Sequence, residues 1–326
     1  MSRNNRPTVV DLFAGAGLFG HAFEREGFEV VWAVEIDKMA AATHRANLPS
    51  RVDVADVRAV MPAGRCDVLI GGPPCQGFST LGKRRPDDPR NFLCMEMARW
   101  ARTLQPEMVV IENVAAFVGS PPHELLLREL AKLSYQTRAI LIDAVDFGVP
   151  QHRRRSFTFA SRIGIPTVKR PSGRHPRTVR EAWCGLPPEP DGENWHYAPK
   201  PSKLAHSRMR VIPPGGDKRD VMLKRPRLAA PSWWRTHGEV TDVWGRLEWD
   251  QPSNTLRTCL LNPSKGRYIH PEQHRVMSIR EAARLHSVAD EWAFVGTPYQ
   301  VARQIGNSVP FNLGRAVARG IRDQLI

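Results

Sequence analysis

From Thr8 to Ala160 the chain alternates short apolar, β-branched runs with stretches of helix-forming residues, and few folds accept that order. Strand-like runs occur at Thr8–Phe13, Val30–Val34, Asp67–Ile70 and Met108–Ile111, with a weaker one at Arg51–Val54. Helix-like spacing occupies Leu18–Glu26, Met39–Ala46, Phe92–Leu104 and His123–Leu133. Ala139–Asp143 and Ser156–Ala160 read as later strands. Such alternation predicts a mostly parallel sheet covered by helices on both faces. Ligands of such sheets bind at the carboxyl ends of the strands.

The texture changes near Ile165. From there to about Pro263, prolines and arginines are dense and periodicity is weak, and Trp183, Trp195, Trp233, Trp234, Trp244 and Trp249 all fall in this stretch. It reads as a second, irregular domain of short strands and loops, with its tryptophans as core. Periodic helix returns at Ser278–Leu285, with Ser278 as a cap, and a last helix is expected over Pro310–Asp323. The expected division is a catalytic domain of residues 1–180 plus 295–326 and a small domain of 181–294.

Lys and Arg number 47 against 33 Asp and Glu, a net charge of +14. That surplus attracts polyanions, although composition alone leaves a generically basic protein equally open. The five cysteines (Cys66, Cys75, Cys94, Cys184 and Cys259) have no paired spacing, which argues for a reducing compartment and against a zinc ribbon. His270 and His274 read as surface residues, and no metal is expected. No apolar run is long enough to span a bilayer, and residues 1–13 lack a signal-peptide segment. A cytoplasmic location is expected, without a membrane partner.

Gly15-Ala16-Gly17-Leu18-Phe19-Gly20 matches GxGxxG between a strand and a helix, and Glu35 ends the next strand, where an acid holds ribose hydroxyls. A dinucleotide and S-adenosylmethionine both satisfy that pattern, and so does a packing turn without a ligand. Asp11 and Asp56 could face the same strand-end crevice or serve as turn formers.

Gly71-Gly72-Pro73-Pro74-Cys75-Gln76-Gly77-Phe78-Ser79 follows the Asp67–Ile70 strand. Two prolines stiffen the backbone and Gly77 frees the next turn, which would display Cys75 at the strand end. A lone cysteine is more often inert and buried, but this setting is polar and lies in the expected crevice. Together with Phe78-Ser79, this segment resembles the nucleophile motif of DNA cytosine-5 methyltransferases. Asp11-Leu12-Phe13-Ala14-Gly15 resembles the family's cofactor loop and Glu112-Asn113-Val114 its acid motif. Gln151-His152-Arg153-Arg154-Arg155 resembles its basic motif. Residues 270–275, 280–285 and 304–310 resemble the closing motifs. The match spans nearly the whole chain and follows the family's order. His286–Asp290 departs from it, because the usual aromatic and proline before the aspartate are missing.

The resemblance implies an α/β fold: a Rossmann-like S-adenosylmethionine-dependent methyltransferase sheet with a second, smaller, irregular target-recognition domain. It implies methyl transfer from S-adenosylmethionine to carbon 5 of cytosine in double-stranded DNA. The thiolate of Cys75 would add to carbon 6, which makes the ring nucleophilic. Glu112, if protonated, would donate to ring N3, Arg155 would meet O2, and Arg153 would support the loop; phosphate binding by the basic run is the alternative reading. Donor contacts are implied for Phe13, Gly15, Gly17, Glu35, Ile36, Asp56, Val57, Pro74, Leu93, Asn307 and Val309. The target base must be flipped out of the duplex, and Leu81–Asn91 suits a mobile loop beyond the nucleophile. Arg208, Arg210, Thr255 and Arg257 are candidates for DNA recognition, with most arginines expected on phosphate. A monomer is expected, with a separately acting restriction endonuclease as the cognate partner. The competing readings are a transfer-RNA methyltransferase, a nicotinamide oxidoreductase resting on the glycine loop, and a silent DNA-binding protein.

Overall fold

The computed structural model describes residues 6–74, 89–173, 175–235 and 242–325. The chain falls into two compact units: Met1–Phe147, Arg154–Ser172 and Val309–Ile326 form one, and Gly148–Arg153 and Gly173–Ser308 form the other. These breaks lie at different places from the expected boundaries at 180 and 295.

Unit 1 is built on one sheet. Its strands are β1 (Thr8–Leu12), β2 (Glu29–Glu35), β3 (Arg51–Val54), β4 (Val68–Gly71), β5 (Met108–Val114), β6 (Gln136–Asp143) and β7 (Arg154–Ser161). Their order across the sheet is β3-β2-β1-β4-β5-β7-β6. The first five run parallel, whereas β7 is antiparallel to both β5 and β6. Helices α1 (Leu18–Glu24), α2 (Lys38–Asn47), α3 (Met95–Leu104), α4 (Pro121–Lys132) and α11 (Phe311–Leu325) complete the unit. All four residues of β4 are buried, as expected of a strand covered on both faces. The order of the strands reverses between β1 and β4, so the ligand crevice lies beyond their carboxyl ends.

Local chemistry sets the helix ends. Asp37 caps α2 by accepting from the N–H groups of Met39 and Ala40. Glu26 is buried beside the start of β2, where Arg315 and Arg319 of α11 both bond its carboxylate. These two partners hold its carboxyl below the usual range against the opposing effect of burial.

Unit 2 holds α5 (Val179–Trp183), α6 (Lys203–Met209), α7 (Lys218–Lys224), α8 (Pro231–Arg235), α9 (Ile279–Leu285) and α10 (Pro298–Asn307). The sequence reading expected short strands here and overlooked α10. Among the described residues the only β pairing is isolated bridges: Gln151 with Ser253, Arg246 with Ile269, and Ile269 with Val276. Buried arginines do the work that a ladder would do. The Arg246 guanidinium donates to the carbonyls of Met209, Ile212, His270 and Gln273. Burial pulls its pKa down to about 10. Arg280 likewise donates to the carbonyls of Asn194 and Ala289. A guanidinium has five donors, so one side chain can satisfy several loop carbonyls that regular structure leaves unpaired.

His270 is not a surface residue. It is 4% exposed, stacks on Trp183, and accepts at Nδ1 from the N–H groups of Glu272 and Gln273. Burial, followed by the nearby charges of Arg275, Arg246 and His196, lowers its pKa to about 3. The segment that departs from the family pattern is well packed. Ser287 adopts φ 59, Val288 is buried, and Asp290 takes an ion pair from Arg284 at 2.5 Å.

His44 on α2 is also fully buried, with Nε2 2.8 Å from Ser50 Oγ. A Cβ at Gly17 would stand 2.9 Å from its ring, and Gly17 has φ +85, so both space and backbone require glycine there. Burial, with a smaller effect of Arg45, lowers the His44 pKa from 6.5 to about 4. The unfolded chain therefore binds this proton first as pH falls. The His44 contribution to stability is complete above pH 6.5 and is lost between 6.5 and about 4. His44→Gln should give a shallower dependence of unfolding free energy on pH in that window, measured by urea denaturation. An unchanged slope would show that His44 is not held neutral.

Candidate active site

Strand register assembles the site in unit 1. Leu12 of β1 pairs with Gly71 of β4, and Gly71 pairs with Ile111 of β5. The glycine loop after β1 and Gly72-Pro73-Pro74 after β4 therefore begin on adjacent strands, level with Glu112 near the end of β5. Gly71 has no room for a side chain, because a Cβ would lie 2.8 Å from Met97 Sδ and 2.9 Å from the Leu12 carbonyl. Neighbouring β2 and β3 end at Glu35 and Val54, which also pair.

The loop from Phe13 to Gly17 turns sharply: Phe13 has φ 57, Gly15 φ 56 and Gly17 φ 85. Left-handed backbone at a non-glycine residue is a strained arrangement, and such strain clusters at functional sites. A Cβ at Gly15 would meet nothing within 4 Å, so open space borders the loop there. Glu35 fastens the loop, with Oε2 accepting from the Gly15 N–H and Oε1 from the Asp37 N–H, both at 2.7 Å. Burial raises the Glu35 pKa, and those two N–H groups oppose the rise. Each carboxylate oxygen retains a second lone pair for a ligand hydroxyl. Ile36, next in the chain, is 66% exposed.

Asp56 and Val57 follow β3. Asp56 caps a short helical turn through the Arg58 N–H and pairs with the Arg58 guanidinium at 2.6 Å. This pairing lowers the Asp56 pKa to about 2, so it stays an anionic acceptor. Val57 is buried, and Leu93 is half-buried ahead of α3. Asp11 does not reach the crevice. It lies within β1, 1% exposed, and a Cβ on Gly20 of α1 would stand 3.1 Å from its Oδ2. Burial, then Glu35, raises its pKa well above the usual carboxylate value.

Glu112 is buried, and its Oε1 lies 3.0 Å from Arg155 Nε. The antiparallel course of β7 explains this pair. Arg155 sits opposite Val114, which makes it a same-face diagonal neighbour of Glu112. A parallel strand would have started at the opposite edge of the sheet. Burial pulls the Arg155 pKa down, while Glu112 opposes that shift.

Asn113 carries a role the sequence reading did not assign. Its Nδ2 donates to the Pro73 carbonyl at 3.1 Å, and its Oδ1 accepts from the Val114 N–H at 2.8 Å. Ser156 Oγ, fully buried on β7, lies 3.3 Å from the Asn113 carbonyl and 3.1 Å from that of Val114. Asn113 thus holds the backbone two residues ahead of Cys75. Its signal was its place beside Glu112, but the partner could not be read from the sequence. Pro74 is half-buried. Cys75 lies outside the described residues, and so does most of Leu81–Asn91, of which only the turn Pro89–Phe92 is described.

The remaining residues divide between the units. Arg153 belongs to unit 2, where it is 2% exposed and donates to the carbonyls of Leu256, Gly306 and Ser308. Gln151 Oε1 accepts from the Leu256 N–H, and Thr255 Oγ1 donates to the His152 carbonyl at 2.7 Å. His286 contacts Gln151 Nε2 through Nδ1 and the Ser308 carbonyl through Nε2, both at 3.0 Å. Asn307 is exposed at the end of α10, whereas Val309, buried, opens the last segment of unit 1. Arg208 lies with its guanidinium 4.9 Å and 5.3 Å from the rings of Trp233 and Trp244. Arg257 pairs with Asp242 at 2.5 Å. Arg210 is exposed. Among the described residues no group of three or more His, Cys, Asp or Glu could hold a metal, and no helix is long and apolar enough to cross a membrane.

Comparison with known proteins agrees with this geometry. The chain is 36% identical to the type II methyltransferase M.XorII of Xanthomonas oryzae pv. oryzae, covering 98% of this chain and 85% of that one. It is 33% identical to M1.HphI of Haemophilus parahaemolyticus, covering 96% and 86%. A prophage-encoded E. coli protein described as a DNA modification methyltransferase superposes with a TM-score of 0.70 at 28% identity, covering 98% of this chain and 99% of that one. The S. pombe Dnmt2 methyltransferase, at 19% identity and a TM-score of 0.60, shares the fold. Residues 7–323 match the C-5 cytosine-specific DNA methylase family, and the chain is a member of that family.

Proposed function

We propose that this enzyme methylates carbon 5 of cytosine within a specific sequence of duplex DNA, through a covalent bond between Cys75 and carbon 6. The observation that carries the reading is the register of β1, β4 and β5, which lines up the glycine loop, Pro73-Pro74 and the Glu112–Arg155 pair along one edge. S-adenosylmethionine supplies an electrophilic methyl group. Glu35 would hold its ribose, Asp56 its adenine amine, and the loop from Phe13 to Gly17 its remaining length. The open space at Gly15 and the exposed Ile36 fit such a ligand.

In the proposed sequence the Cys75 thiolate forms the S–C6 bond and pushes electrons into the ring. Glu112 donates a proton to N3 and Arg155 stabilises O2. Carbon 5 then takes the methyl group and S-adenosylhomocysteine leaves. Loss of the C5 proton to solvent expels the thiolate, and N3 returns its proton to Glu112, which restores the neutral aromatic ring. A duplex hides its bases, so the cytosine must first be flipped out. Arg153 is a positioning residue in this account. A cytoplasmic monomer that protects host DNA from a separately acting restriction endonuclease is the role we propose, since the relatives are type II methyltransferases.

Bisulfite sequencing of DNA from a host expressing the protein should show one methylated sequence. Cys75→Ala should abolish methylation, and Glu112→Gln should lower kcat by about 10²–10⁴-fold. Methylation by Cys75→Ala would end the covalent reading. Asn113→Ala, which frees the Pro73 carbonyl, should lower kcat by about 10²-fold while calorimetric binding of S-adenosylmethionine stays unchanged. An unchanged kcat would remove Asn113 from the positioning role.

A further inference from the structure

Several cations of unit 2 are already engaged within the protein. Arg246 and Arg280 are buried against carbonyls, and Arg219 and Arg257 pair with Asp217 and Asp242. Between Val221 and Arg235, in contrast, four cations occur with no acidic residue. Lys224 reaches back to Asp220 at 3.1 Å. Arg225, Arg227 and Arg235 are exposed, and among the described residues none of them forms an ion pair.

The same segment exposes two large apolar side chains, Leu223 at 81% and Trp234 at 49%. Trp234 is held in place by its neighbour. Trp233 is 7% exposed, packs edge-on against Trp244 with ring centroids 5.6 Å apart, and shares the Arg208 guanidinium with it. Arg208 Nε also donates to the Leu228 carbonyl at 2.7 Å, which ties α6 to this segment. Cation–π contacts of this kind, partly desolvated, fix the backbone on which Trp234 stands. An exposed tryptophan on a fixed backbone among unpaired arginines has the composition of an interaction hot spot.

We infer that Leu223, Arg225, Arg227, Trp234 and Arg235 form a duplex-DNA contact surface, with the arginines on phosphates and Trp234 and Leu223 on base edges. The inference rests on the functional reading above and names where unit 2 would meet its substrate. Three positive charges without an acid partner complement a polyanion, and apolar side chains find thymine methyl groups in the major groove. It also assigns the caged Arg208 to support, away from the DNA.

The test uses the full chain, with duplex oligonucleotides titrated at several KCl concentrations and with bisulfite sequencing of plasmid DNA. The triple variant Arg225→Gln, Arg227→Gln, Arg235→Gln should bind unrelated duplexes more weakly by a similar factor. Its log Kd against log[KCl] slope should fall by about one for each phosphate that an arginine no longer neutralises. Trp234→Ala should change the relative methylation of different sites by about tenfold or more, with Trp234→Phe intermediate. Unchanged slope and unchanged site preference, in variants that melt and bind S-adenosylmethionine like the parent, would overturn the inference. So would loss of binding to phosphatidylserine vesicles with DNA binding intact. If the parent itself methylates no DNA, the functional reading fails, and the salt slopes still decide whether the surface binds duplex.

Discussion

The antiparallel insertion of β7 between β5 and β6 is the constraint on which the arrangement depends. A wholly parallel sheet would deliver every strand's first residues to the edge away from the ligand crevice. Reversing β7 brings Arg155 to the edge where β5 delivers Glu112, and their diagonal register closes the ion pair at 3.0 Å. The same strand places Ser156 behind Asn113, and Asn113 holds Pro73. One reversal of direction therefore connects the basic motif, the acid motif and the segment that leads to Cys75.

Two arginines of a single motif take different tasks because the unit boundary falls between Arg153 and Arg154. Arg155 faces a carboxylate in unit 1. Arg153 spends its donors on three carbonyls of unit 2. Gly306 is part of that hub: a Cβ there would lie 2.5 Å from the backbone of Arg257 and Thr258, so only glycine lets α10 approach. With Gln151, Thr255 and His286, residues distant in sequence gather around a few loop carbonyls. Closing motifs of this kind are spaced by packing, and only some of their members can touch substrate.

The parallel part of the sheet was legible because several of its strands carry buried apolar runs ended by glycine or an acid, as at Glu35 and Gly71. Glu35 and Glu112 could be placed because strand ends converge in such a sheet, whereas Arg155 could be placed only through the resemblance of its motif. The direction of β7 was not legible, since an apolar strand reads alike in either direction. Unit 2 was legible only as irregular. Its order comes from Arg246, Arg280 and Arg153 bonding to carbonyls, and long-range side-chain-to-backbone bonds leave no periodic trace. For the same reason the sequence shows Arg208 and Arg257 only as candidates for DNA recognition, and not that Arg208 lies against two tryptophans or that Arg257 pairs with Asp242. His270 read as a surface residue because its segment lacks nearby cysteine or carboxylate partners beyond Glu272, and nothing in the sequence shows the Trp183 ring stacked on it.

The central claim is that Cys75 attacks carbon 6 of a cytosine in duplex DNA. A duplex that carries 5-fluorocytosine at the methylated position tests it directly, because fluorine cannot leave as a cation and the adduct persists. Incubation with the enzyme and S-adenosylmethionine, followed by proteolysis and mass spectrometry, should find the methylated fluorocytosine bonded to the peptide containing Cys75. Attachment at another cysteine, or no adduct from an enzyme that methylates the unmodified duplex, would contradict the account.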